Sequence, residues 1–254
     1  MKRRYLIALG IIVFVLALLL KAPASVIYGW TQSKTATPAV TLYGLQGTLS
    51  EGQASGVFIN AHPAMRDLHW RLKPWWLLLA HARFHIASDN AQDLLDGEVS
   101  LSPLGTATFG KLRASMAVKS LLGIIGQPYL PIGGQINLDL DSLQLKNGLP
   151  TQALGQVIVH DAAWTLAQPQ AALGDFRADI STDGDNNILV KIASVSGALN
   201  VKGDARLATD QSYELHLQYQ PNASAEAMVR NLLSSSGAAD AQGWHHFDKR
   251  GKLQ

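Results

Sequence analysis

The chain has 254 residues, no cysteine and a formal net charge of +2, and only 16 % of its residues are Asp, Glu, Lys or Arg. Without cysteine, disulfide staples, thiol catalysis and thiolate metal sites are excluded. A charge so close to balance, with no basic stripe interleaved with aromatics, argues against nucleic acid as a partner. The 22 glycines suit a sheet protein with many turns and suit disorder poorly.

Three cations, Lys2, Arg3 and Arg4, precede an apolar run at residues 6–20. Twelve of its residues are Leu, Ile, Val or Phe: Leu6, Ile7, Leu9, Ile11, Ile12, Val13, Phe14, Val15, Leu16, Leu18, Leu19 and Leu20. At −0.3 to −0.6 kcal/mol each, membrane insertion of this run is favoured by roughly 4 to 7 kcal/mol. At ~1.5 Å per residue it spans about 22 Å, short of a ~30 Å hydrocarbon core. Tyr5, Ala22 and snorkelling of the flanking cations extend it, so the expected transmembrane anchor covers residues 5–24. By the positive-inside rule residues 1–4 stay cytoplasmic and the body lies in the periplasm of a bacterial cell. Ala22-Pro23-Ala24 also matches the small-residue site of a cleaved signal peptide. Lys21 and the apolar Val26-Ile27-Tyr28 just beyond weigh toward retention in the inner membrane.

Residues 25–38 read as a linker, polar from Ser33 to Pro38, and residues 39–254 as one β-rich domain. The apolar period there is two. Val40 and Leu42 lead to Gly47-Thr48-Leu49, and residues 52–59 form a second strand, with a hairpin turning at Ser50-Glu51-Gly52. Residues 68–72 alternate before Pro74, and Ala82, Phe84 and Ile86 alternate against His81, Arg83 and His85. Val99 and Leu101 share a face. Residues 112–131 do not alternate and read as a short helix or apolar loop packed across the sheet. Ile136, Leu138 and Leu140 resume the period, and Leu143 and Leu145 follow after a one-residue change of phase that predicts a bulge. Further strands run through Val157 to Trp164, Phe176 to Ile180, Ile188 to Ile192, Leu199 to Val201 and Tyr213 to Tyr219. A helix is expected over residues 223–234, capped by Asn222 and stopped by Gly237. A short strand around His246-Phe247 ends the chain.

Tight turns between so many strands predict antiparallel pairing. The fold class is mainly β: a long twisted antiparallel sheet, curved or folded over on itself, with an amino-terminal transmembrane helix and one or two short helices. Alternation leaves one face apolar, to be covered by the sheet itself, by a helix or by an apolar ligand.

Candidate chemistry is sparse. His81 and His85 have a helical metal spacing, but no Glu follows His81 and the neighbours favour a strand. His245 and His246 are adjacent, so on a strand they face opposite ways. Residues 183–187 begin like a calcium loop, then place Ile188 where Gly is needed and close with no Glu. Asp139 and Asp141 share a solvated face, and His160-Asp161 has no Gly-x-Ser-x-Gly partner. The expectation is no catalytic residue, no metal site, no cofactor and no enzyme. Trp70, Trp75 and Trp76 form the candidate interaction surface, facing the membrane or a neighbouring subunit, with core packing as the competing role.

The order of elements resembles the type II secretion system protein N family. The resemblance rests on Gly47-Thr48-Leu49-Ser50-Glu51-Gly52-Gln53-Ala54, then Leu68-His69-Trp70-Arg71-Leu72-Lys73-Pro74 and Leu77-Leu78-Leu79. Pro131-Ile132-Gly133-Gly134-Gln135-Ile136-Asn137-Leu138, the segment from Gly155 to Trp164, Gly197-Ala198-Leu199-Asn200-Val201-Lys202-Gly203 and the final Gly243 to Leu253 strand extend it along the chain. Where that family usually carries an aromatic after Gly-Thr-Leu, this chain has Ser50. The resemblance implies a non-enzymatic inner-membrane component of the machinery that exports folded proteins across the outer membrane, whose partners are the other inner-membrane subunits and the membrane. The family is also similar to the wider AsmA-like group of envelope proteins, which implies the alternative of an apolar β trough that binds or transfers lipid.

Overall fold

A computed structural model describes residues 10, 18, 20–32, 40–79, 81–90, 94–166, 169–223, 225–234 and 237–253. Of the apolar run at residues 6–20 only Gly10, Leu18 and Leu20 are among them, so the expected anchor lies mainly outside the described residues. Among the described residues no helix is long and apolar enough to cross a membrane.

The body is one open, fourteen-stranded antiparallel sheet. Its strands are β1 (Val40–Tyr43), β2 (Gln46–Gly47), β3 (Glu51–Ile59), β4 (His62–Leu72), β5 (Ala82–Asp89), β6 (Leu94–Leu101) and β7 (Thr106–Ala117). They continue as β8 (Ile132–Lys146), β9 (Leu149–Trp164), β10 (Ala171–Thr182), β11 (Ile188–Ser196), β12 (Leu199–Leu207), β13 (Ser212–Pro221) and β14 (His245–Lys252). From β3 onward every strand pairs with its successor in the chain, and β1 and β2 share the free side of β3. Among the described residues three short helices accompany the sheet, where one or two were expected beside the amino-terminal one: α1 (Ala24–Gln32), α2 (Val118–Ile124) and α3 (Ala227–Ser234). The segment expected as a linker therefore holds a helix, α1. The carboxyl-terminal helix begins at Ala227, and Asn222 does not cap it. The Asn222 amide instead donates to Gly197 O at 2.7 Å.

Alternation sorts the two faces with great regularity. Register links Arg113, Asp139, Gln156, Asp179, Lys191, Asp204, His216 and Asp248 in one row across β7 to β14. Charges of opposite sign meet repeatedly along it, and such cross-strand pairs contribute roughly 0.2–1 kcal/mol each. One residue away in each strand, on the other face, runs an apolar row: Ala114, Leu138, Val157, Ala178, Ile192, Gly203, Leu217 and Phe247. A one-residue slip of any strand would exchange the rows, so the pattern holds the register.

The sheet is curved. Cα atoms of β9 and β11, and of β10 and β12, come within 8 Å of each other, where two strand spacings in a flat sheet are ~9.5 Å. A line of bulges crosses this region of the sheet at Asp161, Gly174 and Val195. A Cβ on Gly174 would stand 2.1 Å from Ser196 O, so only glycine admits this approach. The Asp175 carboxylate holds the line together, accepting the Asp161 N–H at 2.9 Å and the Ser196 hydroxyl at 2.7 Å. These two donors lower its pKa. The bend wraps the apolar face around α3, where Val229 and Leu233 bury against Ala162, Ala171 and Leu173. A second core joins Leu95, Leu112, Ala114 and Leu140. At the end of the sheet nearby, α2 reaches back to β4, and the Asn60 amide donates to Ile124 O at 3.2 Å.

Candidate functional site

An apolar cavity of about 310 Å³ lies between α1 and the apolar face of the first strands. Ala24, Ile27 and Tyr28 of α1 form its roof, and Leu68, Trp70, Phe84, Ile86 and Val99 form its floor. Leu42, Leu45 and Leu49 close one side. Sheet alternation supplies this floor, because Leu68 and Trp70 in β4 and Phe84 and Ile86 in β5 project to the same side. The two polar atoms of the lining are turned toward backbone: the Leu42 N–H donates to the Tyr28 hydroxyl at 2.7 Å, and the Trp70 indole N–H donates to Thr48 O at 3.2 Å. The interior wall is thus hydrocarbon, and its volume lies at the low end of the ~300–1,000 Å³ common for ligand sites.

The three tryptophans expected as one surface are divided by the end of β4. Trp70 packs inward, so close to Gly52 that a Cβ there would meet the ring at 2.4 Å. Trp75 and Trp76 lie in the 3₁₀ turn Pro74–Leu79. Trp75 is 80 % exposed, while Trp76 lies under the Arg83 guanidinium, 4.3 Å from the ring centroid. Arg83 also pairs with Glu98 at 3.1 Å, and Lys73 bonds the same carboxylate. The Lys73 hydrogen bond is the main cause of the lowered Glu98 pKa. Ser50, at the position where an aromatic was expected, joins three segments by its backbone: its N–H donates to Leu20 O at 3.3 Å, and its carbonyl accepts the Leu72 N–H at 2.7 Å.

The remaining candidates are not brought together. His85 lies 3.4 Å from Asp96 on the polar face, while the backbone of His81 closes the 3₁₀ turn onto Trp76 O. His245 is buried and stacked on Tyr219, and His246 faces the other way, 2.9 Å from Asp240. Asp183 accepts the Asn187 N–H at 2.8 Å and the Asp185 N–H at 2.9 Å, which makes residues 183–187 a hairpin turn. Among the described residues no group of three or more His, Asp or Glu is placed to hold a metal ion. Reading the sequence missed Leu104, at the tip of the β6–β7 turn and 85 % exposed. Its signal was available in Ser102-Pro103-Leu104-Gly105, a turn with an apolar residue at its centre.

A family model described as "Type II secretion system (T2SS), protein N" matches residues 38–247, from just before β1 into β14. The chain belongs to the type II secretion system protein N family. No curated protein and no solved structure gives a match. The match runs from before β1 to Phe247 in β14 and so includes the floor of the cavity, Trp75 and Leu104.

Proposed function

We propose that this chain is a non-enzymatic component of the type II secretion machinery, held in the inner membrane by the apolar run at residues 6–20. Residues 22–24 of the anchor expected over 5–24 are instead fastened to the sheet. In this reading residues 1–4 are cytoplasmic, and residues 39–254 work in the periplasm through contacts with other inner-membrane subunits of the machine. The observation that carries it is the family match over residues 38–247. The sheet adds support: its polar face pairs its own charges in rows, as an extended scaffold in water requires. The test is in-cell crosslinking of the full chain tagged at its carboxyl end, then purification in detergent and mass spectrometry. Co-purification of other inner-membrane secretion subunits is expected. Their absence, with phospholipid alone at stoichiometric amount, refutes the reading.

The apolar row from Leu138 to Phe247 favours a second reading, in which the trough binds lipid. Leu138 packs against the second core, Val157, Ala178, Ile192 and Leu217 are half-buried, and Phe247 is exposed. Stoichiometric lipid bound alongside the secretion subunits would join the two readings in one protein.

A further inference from the structure

Successive turns of the sheet alternate between two ends, and one end gathers the chain's amino-terminal segment with two exposed apolar tips. Leu49 N–H donates to Ala22 O at 3.1 Å, Ser50 N–H donates to Leu20 O at 3.3 Å, and Pro23 bridges Thr48. The segment leaving the apolar run at residues 6–20 is therefore fastened to the β2–β3 turn with no slack between them. The 3₁₀ turn Pro74–Leu79 lies at the same end, tied to Ser50 through Leu72. So does the β6–β7 turn at residues 102–105, because Leu72 pairs with Phe84 and Ala82 pairs with Leu101. These two turns stand two strand spacings apart, ~10 Å. Their tips are Trp75, 80 % exposed, and Leu104, 85 % exposed. The β8–β9 turn stays beside the second of these turns, the Asn147 N–H donating to Gly105 O at 3.3 Å.

We propose that this end of the sheet rests on the phospholipid bilayer, with Trp75 and Leu104 inserted at the boundary between headgroups and acyl chains. The proposal rests on the reading of residues 6–20 as a retained membrane anchor. What commits it to a bilayer is where that apolar run stops: Leu20 is bonded to the turn itself, so a run that ends in the interface brings the turn to the interface. Tryptophan is the side chain that favours that depth, with an apolar ring and one polar N–H. Lys21, exposed and next to Leu20 in the chain, suits the headgroup layer of an anionic surface. The opposite end also exposes an aromatic, Tyr129. The twelve residues of β7 hold it ~40 Å from the first end, and Tyr129 belongs in water. Docked this way, Leu49 and Trp70, which line the cavity beneath α1, lie close to the membrane surface.

Because the chain has no cysteine, single labels report without background. Trp75→Cys, Leu104→Cys and Tyr129→Cys are made in the full-length chain, nitroxide-labelled and reconstituted in vesicles of phosphatidylethanolamine and phosphatidylglycerol. Flotation first establishes that the chain is anchored, and collision with oxygen and with a water-soluble nickel chelate then reports depth. The expected result is an oxygen-to-nickel ratio at positions 75 and 104 at least roughly threefold above that at position 129, as for side chains ~5–10 Å into an interface. A chain that floats but gives equal ratios at all three positions overturns the docking and leaves the anchor standing. A chain that does not float overturns both. Labels at 75 and 104 that are aqueous in vesicles and become shielded only when secretion subunits are added assign the end to a protein contact, and also overturn it.

Discussion

Leu140→Ala and Leu154→Ala make the same chemical change in adjacent strands, and the structure assigns them different costs. Leu140 is 5 % exposed and packs with Leu95, Leu112 and Ala114, whereas Leu154 is 48 % exposed. Losing three carbons from a buried leucine forfeits ~2.4 kcal/mol at ~0.8 kcal/mol per methylene. The unfilled space adds more, and such substitutions in packed cores span ~2.7–5.0 kcal/mol. A cost of about 3 kcal/mol is expected for Leu140. For Leu154 about half the transfer term applies, with no cavity because water follows the side chain, so about 1 kcal/mol. With a urea slope of ~3 kcal/mol/M the midpoint falls by about 1 M in the first variant and about 0.3–0.4 M in the second. Circular dichroism of the full chain in detergent across a urea series measures both. Equal shifts at an unchanged slope would refute the placement of the core on the face of β6 to β8.

Gly174→Val places a Cβ 2.1 Å from Ser196 O at a backbone φ of +122°. It should lower stability by more than ~2 kcal/mol, while Gly184→Ala, with nothing within 4 Å, should leave the urea midpoint unchanged. Tyr28→Phe removes the acceptor of the Leu42 N–H, and hydrogen exchange at Leu42 should quicken by about tenfold for ~1.4 kcal/mol. An unchanged rate there would mean that α1 is not held to β1 by this bond. Asp240 is held at about 2, against 3.8 ordinarily, mainly by His246 and then by the N–H groups of Trp244 and Gln242. Because the folded pKa is the lower one, its contribution is complete above pH ~4 and is lost as pH falls toward ~2. Protection of the Trp244 amide should fall through that window in the native chain and stay flat in Asp240→Asn. Parallel profiles would exclude Asp240 as the cause.

What the sequence disclosed depended on how far each element kept its period. Ile136, Leu138 and Leu140, then Leu143 and Leu145, were legible as one strand with a slip, and the register of β8 shifts between Leu140 and Ser142. β13 was legible for the same reason, through Tyr213, Leu215, Leu217 and Tyr219. β7 was not: Lys111, at φ 51°, is an unpaired bulge residue that breaks the alternation before Leu112. The apolar cluster beyond it then merged with α2, and the whole stretch read as helix or loop. The Asn147-Gly148 hairpin between β8 and β9, both residues at positive φ, carried a strong turn signal that was passed over. Of the site, the floor was visible in the alternation of β4 and β5. The roof was not, because Ile27 and Tyr28 fall in the stretch 25–38 that read as a linker, with too short an apolar pattern to announce a helix.

An open sheet of this length has two free edges, and each is managed differently. β14 presents Asp248, Lys249, Arg250 and Lys252 in its last five residues, a charge density that opposes the addition of a further strand. Arg250 faces Glu214 at 3.4 Å, which turns that charge back toward the sheet. β1 is short, and β2 covers the rest of the β3 edge. The β14 edge is thus guarded by charge and the β1 edge by shortness, and the outer face pairs its charges across strands within the sheet. Contacts with other molecules are then left to the apolar trough and to the turns at the sheet ends. The turn end that receives the amino-terminal segment is where Trp75 and Leu104 stand exposed. The opposite end exposes Ile125, Tyr129, Leu130 and Leu166, so it is the attachment of the amino-terminal segment that distinguishes the first end, and its occupant decides between membrane and subunit.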